Sequence, residues 1–169
     1  PEAHAGKRFV AWGHSQGGHS SIWTGHLART LAPELELIAV AAAAPAAELN
    51  LIIGAQWPTP VGWVIGPEVE QSWPVVYPDL PLEGVITARG LANSERLANE
   101  CIVVAGIEGL ARTDLGQDYF VADPVTNTAW AAVGREQTPS PLPSDMPVLI
   151  AQSTADAVVL AWPNGVLQD

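Results

Sequence analysis

Residues Arg8 to Leu31 read RFVAWGHSQGGHSSIWTGHLARTL, and the interpretation of this stretch decides the fold. It opens on an apolar, β-favouring run, Phe9-Val10-Ala11-Trp12. It then passes through Gly13-His14-Ser15-Gln16-Gly17 and continues into a helix-length segment without proline. A strand, a serine between two glycines and then a helix is the layout of a nucleophile elbow, the turn that lifts a catalytic serine above the end of a parallel sheet. The glycines are expected on steric grounds: with Ser15 in a strained tight turn, a Cβ at Gly13 or Gly17 would collide with the neighbouring strand or helix. The helix that follows directs free amides at the serine, and the backbone amide of Gln16 is placed to donate to the oxyanion of an acyl-transfer intermediate. A Gly/Ser turn that simply caps a helix, with Ser15 as the N-cap, uses the same letters. The apolar run before the motif, the uninterrupted helix after it and the further Gly18 favour the elbow.

The segments on either side extend the pattern. A strand is predicted from about Arg8 to Trp12, and a helix from Gln16 to Leu31, where Ile22, Trp23, Leu27 and Leu31 recur at three- and four-residue spacing before Pro33. His19 and His26 share a face of that helix, but without an H-E-x-x-H spacing or a third ligand they read as surface histidines. Leu35 to Ala44 is an apolar, alanine-rich run that suits a buried parallel strand, ended by Pro45. Strand, helix and strand within about 35 residues form a right-handed βαβ unit and imply a parallel sheet.

Beyond Pro45 the character changes. Trp57, Pro58, Pro60, Trp63, Pro67, Trp73, Pro74, Tyr77, Pro78 and Pro81 crowd one segment, a density that argues against a long regular helix there. A capped helix is predicted from Ser94 through Cys101 toward Leu110, and a short one around Trp130 within 125–133. Pro139, Pro141, Pro143 and Pro147 mark a linker. An insertion this long between two sheet strands is expected to be a structured, mostly helical cap. Its apolar side chains would build its own core and shelter an acyl-binding tunnel. The sheet pattern returns at 146–152, a predicted buried strand, and Asp156 follows its C-terminal end, where functional residues of parallel sheets collect. An Asp there is also an ordinary turn residue, but the chain order Ser then Asp fits a triad acid. The domain reading is therefore a first part of the core at 1–45, the cap at 46–143 and a return to the core at 144–169.

Composition bounds the function. The chain has 169 residues, 48% hydrophobic and 15% charged, which is a globular composition with enough length for one good core. Seven Lys and Arg against 18 Asp and Glu give a net charge of −11, which argues against a nucleic-acid partner. Seven Trp against two Phe and two Tyr imply wide apolar surfaces. The single Cys101, beside Ile102, Val103 and Val104, reads as a buried thiol or as half of a bridge to another chain, and excludes an internal disulfide or a Cys-based zinc site. Pro1 to Lys7 lacks the apolar core of a signal peptide, and no apolar run is long enough to span a bilayer.

Gly-His-Ser-Gln-Gly-Gly at 13–18, Ala-Pro-Glu-Leu at 32–35, Val-Tyr-Pro-Asp-Leu at 76–80 and Pro-Val-Leu-Ile-Ala-Gln-Ser-Thr-Ala-Asp-Ala-Val-Val at 147–159 together resemble the secretory lipase family of α/β-hydrolases. The resemblance implies a partial α/β-hydrolase fold with an inserted cap. It implies Ser15 as nucleophile, Asp156 as triad acid and the Gln16 amide as an oxyanion donor. It further implies a secreted hydrolase of carboxylic esters, acylglycerols included, with no metal or organic cofactor. In that family the catalytic His follows the acid, and none of His4, His14, His19 or His26 stands in that order. The chain is thus expected to be the middle of a longer hydrolase whose general base lies outside it. Two other readings stay open: a different α/β-hydrolase activity such as a serine peptidase, since the elbow does not choose the acyl substrate, and an inert module that self-associates through exposed sheet edges.

Overall fold

The computed structural model describes residues 6–165. In chain order the elements are β1 (Arg8–His14), α1 (Gln16–Leu31), β2 (Glu36–Ala43), α2 (Leu49–Gln56), α3 (Gly62–Val76), α4 (Ala88–Ala98), α5 (Ile102–Asp114), a 3-10 turn (Pro124–Thr126), α6 (Thr128–Glu136), β3 (Val148–Ala151) and α7 (Ala161–Asn164). They fall into two compact units, one formed by residues 1–48 and 138–169 and the other by 49–137. The first is mixed α/β and the second is mostly helical. Among the described residues no helix is long and apolar enough to cross a membrane.

The α/β unit is a three-stranded parallel sheet in the order β1-β2-β3. Its register runs from Arg8 opposite Glu36 to His14 opposite Ala43, and Ala43 in turn lies opposite Ala151. Helix α1 keeps the predicted bounds but not the predicted inward face. Gly18, Ser21, Ile22, Gly25 and Ala28 are buried, whereas Leu27 and Leu31 are exposed. Close approach explains the choice. A Cβ on Gly25 would lie 2.6 Å from Leu142 Cδ2 and 3.1 Å from Val40 Cγ2, and Ser21 Oγ donates within reach of both Gly18 O and Ala41 O. The resulting core is Ile22, Val40, Ala42, Ala47 and Met146, with Ala11, Leu37 and Leu142 packed against it.

Only one face of this sheet is packed. Trp12 lies opposite Ala41, and Ala41 opposite Leu149, so the three side chains share a face. Trp12 is 71% and Leu149 65% exposed. β3, predicted as a buried strand, is therefore an exposed edge.

In the helical unit, Trp63, Trp73, Tyr119, Phe120 and Trp130 form the centre of the core. Ring contacts run from Trp63 to Tyr119 at 5.3 Å, Tyr119 to Phe120 at 4.9 Å, Phe120 to Trp130 at 5.8 Å and Trp130 to Trp73 at 5.5 Å. The buried indoles find backbone acceptors: Trp63 Nε1 donates to Gln117 O and Trp130 Nε1 to Pro81 O. This removes the cost of burying a polar N–H. The buried Tyr119 hydroxyl pairs with Ser94 Oγ at 2.5 Å, and burial pushes its pKa well above the usual phenol value.

Four sequence expectations need correction here. α3 runs for 15 residues with Pro67 and Pro74 inside it; each proline removes one helical donor, but burial of Trp63, Pro67 and Trp73 holds the helix together. Ser94 does not cap a helix, since it lies buried within α4, whose N-cap is Thr87 accepting from Gly90 N. The single helix expected from Ser94 to Leu110 is two helices, broken at 99–101. Cys101 sits in that break as the N-cap of α5 and is an exposed thiol rather than a buried one.

Glu108 joins α4 to α5. It accepts from Arg96, and from Arg112 Nη2 at 2.6 Å and Nε at 2.8 Å, while the Arg112 guanidinium stacks 4.5 Å from the Trp63 ring centre. The hydrogen bond from Arg96, supported by Arg112, holds the Glu108 carboxyl below the usual carboxylate range. A carboxyl whose folded pKa is depressed stabilises above its unfolded pKa, and that contribution disappears as pH falls through the folded value. Glu108→Gln is expected to lower stability by about 1 kcal/mol at neutral pH, and urea titrations at successively lower pH should show the deficit narrowing toward zero.

Candidate functional site

The first strand ends at His14, and the chain turns at Ser15 with φ 57° and ψ −122°. A non-glycine residue there is strained by about 1–3 kcal/mol, so its surroundings must hold it. Ser15 N donates to Ala43 O at 2.9 Å, extending the β1–β2 ladder by one residue. Ser15 O accepts from His19 N at 3.1 Å, the first turn of α1, and from Ala46 N at 3.2 Å. The turn is thus tied to the end of β2, to the segment that leaves it and to the helix. Ser15 stands in the N-cap position but makes no side-chain capping hydrogen bond, and it is half-buried. The hydroxyl is therefore not consumed by helix capping.

The steric expectation holds at one glycine and fails at the other. A Cβ on Gly13 would lie 1.9 Å from Gly17 O, so the strand end and the first helical turn meet backbone to backbone. At Gly17 a Cβ meets nothing within 4 Å, because that residue points outward on the first turn. The second close approach is at Gly18 instead, where a Cβ would lie 2.9 Å from Pro45 Cα and 3.2 Å from Ala43 O. Gln16 is the first residue of α1, a position whose amide has no intrahelical acceptor.

Asp156 follows β3, also at its C-terminal side, and is half-buried. Because the sheet is parallel, Ser15 and Asp156 both follow strands at its C-terminal end, and the ends of those two strands lie two strand spacings or roughly 10 Å apart in the pairing direction. Asp156 Oδ1 accepts from Val158 N at 2.9 Å and Val159 N at 3.0 Å. Oδ2 has a longer contact from Gln152 Nε2, at 3.4 Å, and keeps acceptor capacity for a further donor. Gln152 and Asn164, which packs beside it, drew no attention in the sequence. Gln152 stood inside the quoted 147–159 segment, whereas nothing in the residue pattern pointed to Asn164.

Two of the histidines near the elbow are otherwise engaged. His19 Nε2 accepts from Trp23 Nε1 at 3.1 Å, and His26 Nε2 lies 2.6 Å from Ser140 O; Trp23 lies between the two rings. His14 is exposed on the last residue of β1. Among the described residues no group of three or more His, Cys, Asp or Glu is arranged to hold a metal ion.

A family model described as secretory lipase matches residues 3–161. No curated protein sequence matches the chain. Among solved structures, it is similar to a rice cell wall degrading esterase, LipA, from Xanthomonas oryzae, with 18% identity and a TM-score of 0.77 over 95% of this chain and 47% of that one. It is also similar to lipase A from Candida antarctica, with 14% identity and a TM-score of 0.63 over 95% of this chain and 39% of that one. A putative hydrolase from Legionella pneumophila shares 14% identity with a TM-score of 0.70, over 96% of this chain and 46% of that one. At these identities the likeness is one of fold, which is that of α/β-hydrolases. The chain spans about half the length of the solved structures it matches, or less.

The glycine geometry predicts opposite outcomes for two neighbouring alanine substitutions. Gly13→Ala should destabilise by about 3 kcal/mol or more, because backbone atoms must move. Gly17→Ala should be neutral or stabilise by up to about 1 kcal/mol, as for any unobstructed helical glycine. Thermal unfolding of the two variants beside the parent checks both.

Proposed function

Since the chain belongs to the secretory lipase family, we propose that it carries the nucleophile and the acid of a carboxylic ester hydrolase. Ser15 Oγ gives its proton to the general base and attacks the ester carbonyl, the Gln16 amide donates to the oxyanion, the C–O bond to the alcohol breaks as the base protonates the leaving oxygen, and water then hydrolyses the acyl-enzyme to release the acid. Asp156 orients the general base through Oδ2 and stabilises the imidazolium that forms. In this reading that base is a histidine outside these 169 residues, since no histidine of the chain follows Asp156 in the order of the triad. The substrates are esters, acylglycerols among them, handled without a metal or organic cofactor by a secreted protein. Residues 1–45 and 144–169 are the hydrolase core in this reading, and 46–143 are the inserted cap.

The observation that supports it most is Ser15 itself: a strained, half-buried serine at a strand-to-helix turn, with its hydroxyl unused by the cap. Strain persists where function requires it. In the natural protein, Ser15→Ala should lower p-nitrophenyl butyrate hydrolysis by a factor on the order of 10⁴ or more, and a fluorophosphonate probe should label Ser15 alone. Labelling elsewhere, or turnover unchanged in Ser15→Ala, would refute the assignment. Hydrolysis of amides with no ester turnover would identify a peptidase instead.

A second reading rests on the bare sheet face, where Trp12 and Leu149 are exposed on both edge strands. A parallel sheet is normally covered on both sides, and a second copy of the chain would cover this one. Sedimentation should then show a dimer of the 169-residue chain that Trp12→Lys dissociates; a monomer at all concentrations would reject it.

A further inference from the structure

The loop that presents Asp156 is held from two sides. From within, Asp156 Oδ1 accepts the amides of Val158 and Val159. From the base, the Gln152 amide spans the loop: Nε2 faces Ser153 O at 3.2 Å, Val159 O at 3.0 Å and Asp156 Oδ2 at 3.4 Å. A glutamine amide has the same shape in either of two orientations, but the flipped one would set its carbonyl against these three oxygens, so the loop itself selects the orientation. A contact at the other oxygen anchors it. Asn164 Nδ2 donates to Gln152 Oε1 at 2.7 Å, so every Gln152 donor is turned toward the loop.

Asn164 meets this demand at a cost. It is 2% exposed, and its Oδ1 has no hydrogen-bond partner among the described residues. A buried carbonyl without a donor is destabilising, and a leucine, with the same branching and side-chain heavy-atom count, would remove that penalty. Packing alone therefore does not explain an asparagine here, whereas a donor aimed at Gln152 does.

We propose that Gln152 and Asn164 are positioning residues for Asp156: Asn164 anchors the Gln152 amide through Oε1, and Gln152 holds the loop so that Asp156 Oδ2 faces the general base. The inference rests on the reading of Asp156 as the triad acid. It assigns neither residue a contact with substrate. Asn164 acts only through Gln152, so its effect must vanish when Gln152 can no longer donate.

The test is a double-mutant cycle in the natural protein, with Gln152→Met, Asn164→Leu, both together, and Asp156→Asn as the reference. Gln152→Met and Asn164→Leu should each lower kcat roughly ten- to a hundredfold, the loss expected for a misplacement of about 1 Å in a catalytic group. KM should stay unchanged. The double variant should be no slower than Gln152→Met alone. Full kcat in both single variants, with Asp156→Asn inactive, would overturn this proposal and leave the triad assignment standing; so would losses that simply multiply in the double variant. Full activity in Asp156→Asn would overturn the triad assignment and the proposal with it. Should Asn164→Leu fail to fold, Gln152→Met carries the test, since residue 152 is only half-buried and full kcat there would by itself reject the proposal.

Discussion

A serine at φ 57° and ψ −122° stays in place only if the chain around it leaves no alternative. Here the constraint is supplied by backbone atoms rather than by side chains. The end of β1 touches the first turn of α1 so closely that residue 13 must lack a Cβ, and the Ser15 amide and carbonyl are fixed by Ala43, His19 and Ala46. Each of those partners belongs to an element that exists for its own reasons: a parallel ladder, a helix, the segment leaving β2. The strain is local, and its support comes from the sheet.

The same requirement for close approach explains the small residues around the elbow. Gly18 lies against Pro45 and Ala43 O, and Gly25 lies against Leu142 and Val40. Ala42, beside Val40 on the packed face of β2, keeps that surface low enough for α1 to settle on. Larger side chains in either element would lift the helix, and with it the first turn that receives Ser15. A helix that carries its inward contacts on Gly, Ser and Ala, with Ile22 the one large side chain among them, then has its other large residues left over. Trp23, Leu27 and Leu31 accordingly end up outside the buried face.

That inversion marks the limit of what the residues alone revealed. The bounds of α1 were legible because glycine precedes it and proline follows it, and the alternation of sheet and helix was legible from the runs of apolar residues. The inward face was not, because hydrophobic periodicity ranks Leu above Gly and has no measure of distance between backbones. The same blindness assigned a steric role to Gly17, which is open, and missed it at Gly18. In the helical unit, proline density was misleading for a related reason. Burial of Trp63, Pro67 and Trp73 outweighs two lost helical donors, and tertiary packing of this kind has no local signature. Ser94 shows the opposite error, a capping residue type placed in mid-helix because its hydroxyl serves Gly90 O and the buried Tyr119 hydroxyl instead.

The acidic residues carry this distinction into the chemistry. With 18 of them in the chain, residue type says little about role; what separates them is where each carboxylate oxygen is engaged. Glu108 directs one oxygen at two guanidinium groups and serves the fold. Asp145 pairs with Arg29 at 2.7 Å in the open, where an ion pair contributes little. Asp123 accepts from Val125 N and starts a turn. Asp156 divides its oxygens: Oδ1 is engaged by two loop amides at close range, and Oδ2 has only a distant contact from Gln152. A carboxylate anchored through one oxygen, with the other left available beyond the C-terminal end of a parallel strand, is rigid enough to orient a partner and still able to accept its proton-bearing nitrogen. In the proposed reading, that division of oxygens is what fits Asp156 to act beside Ser15.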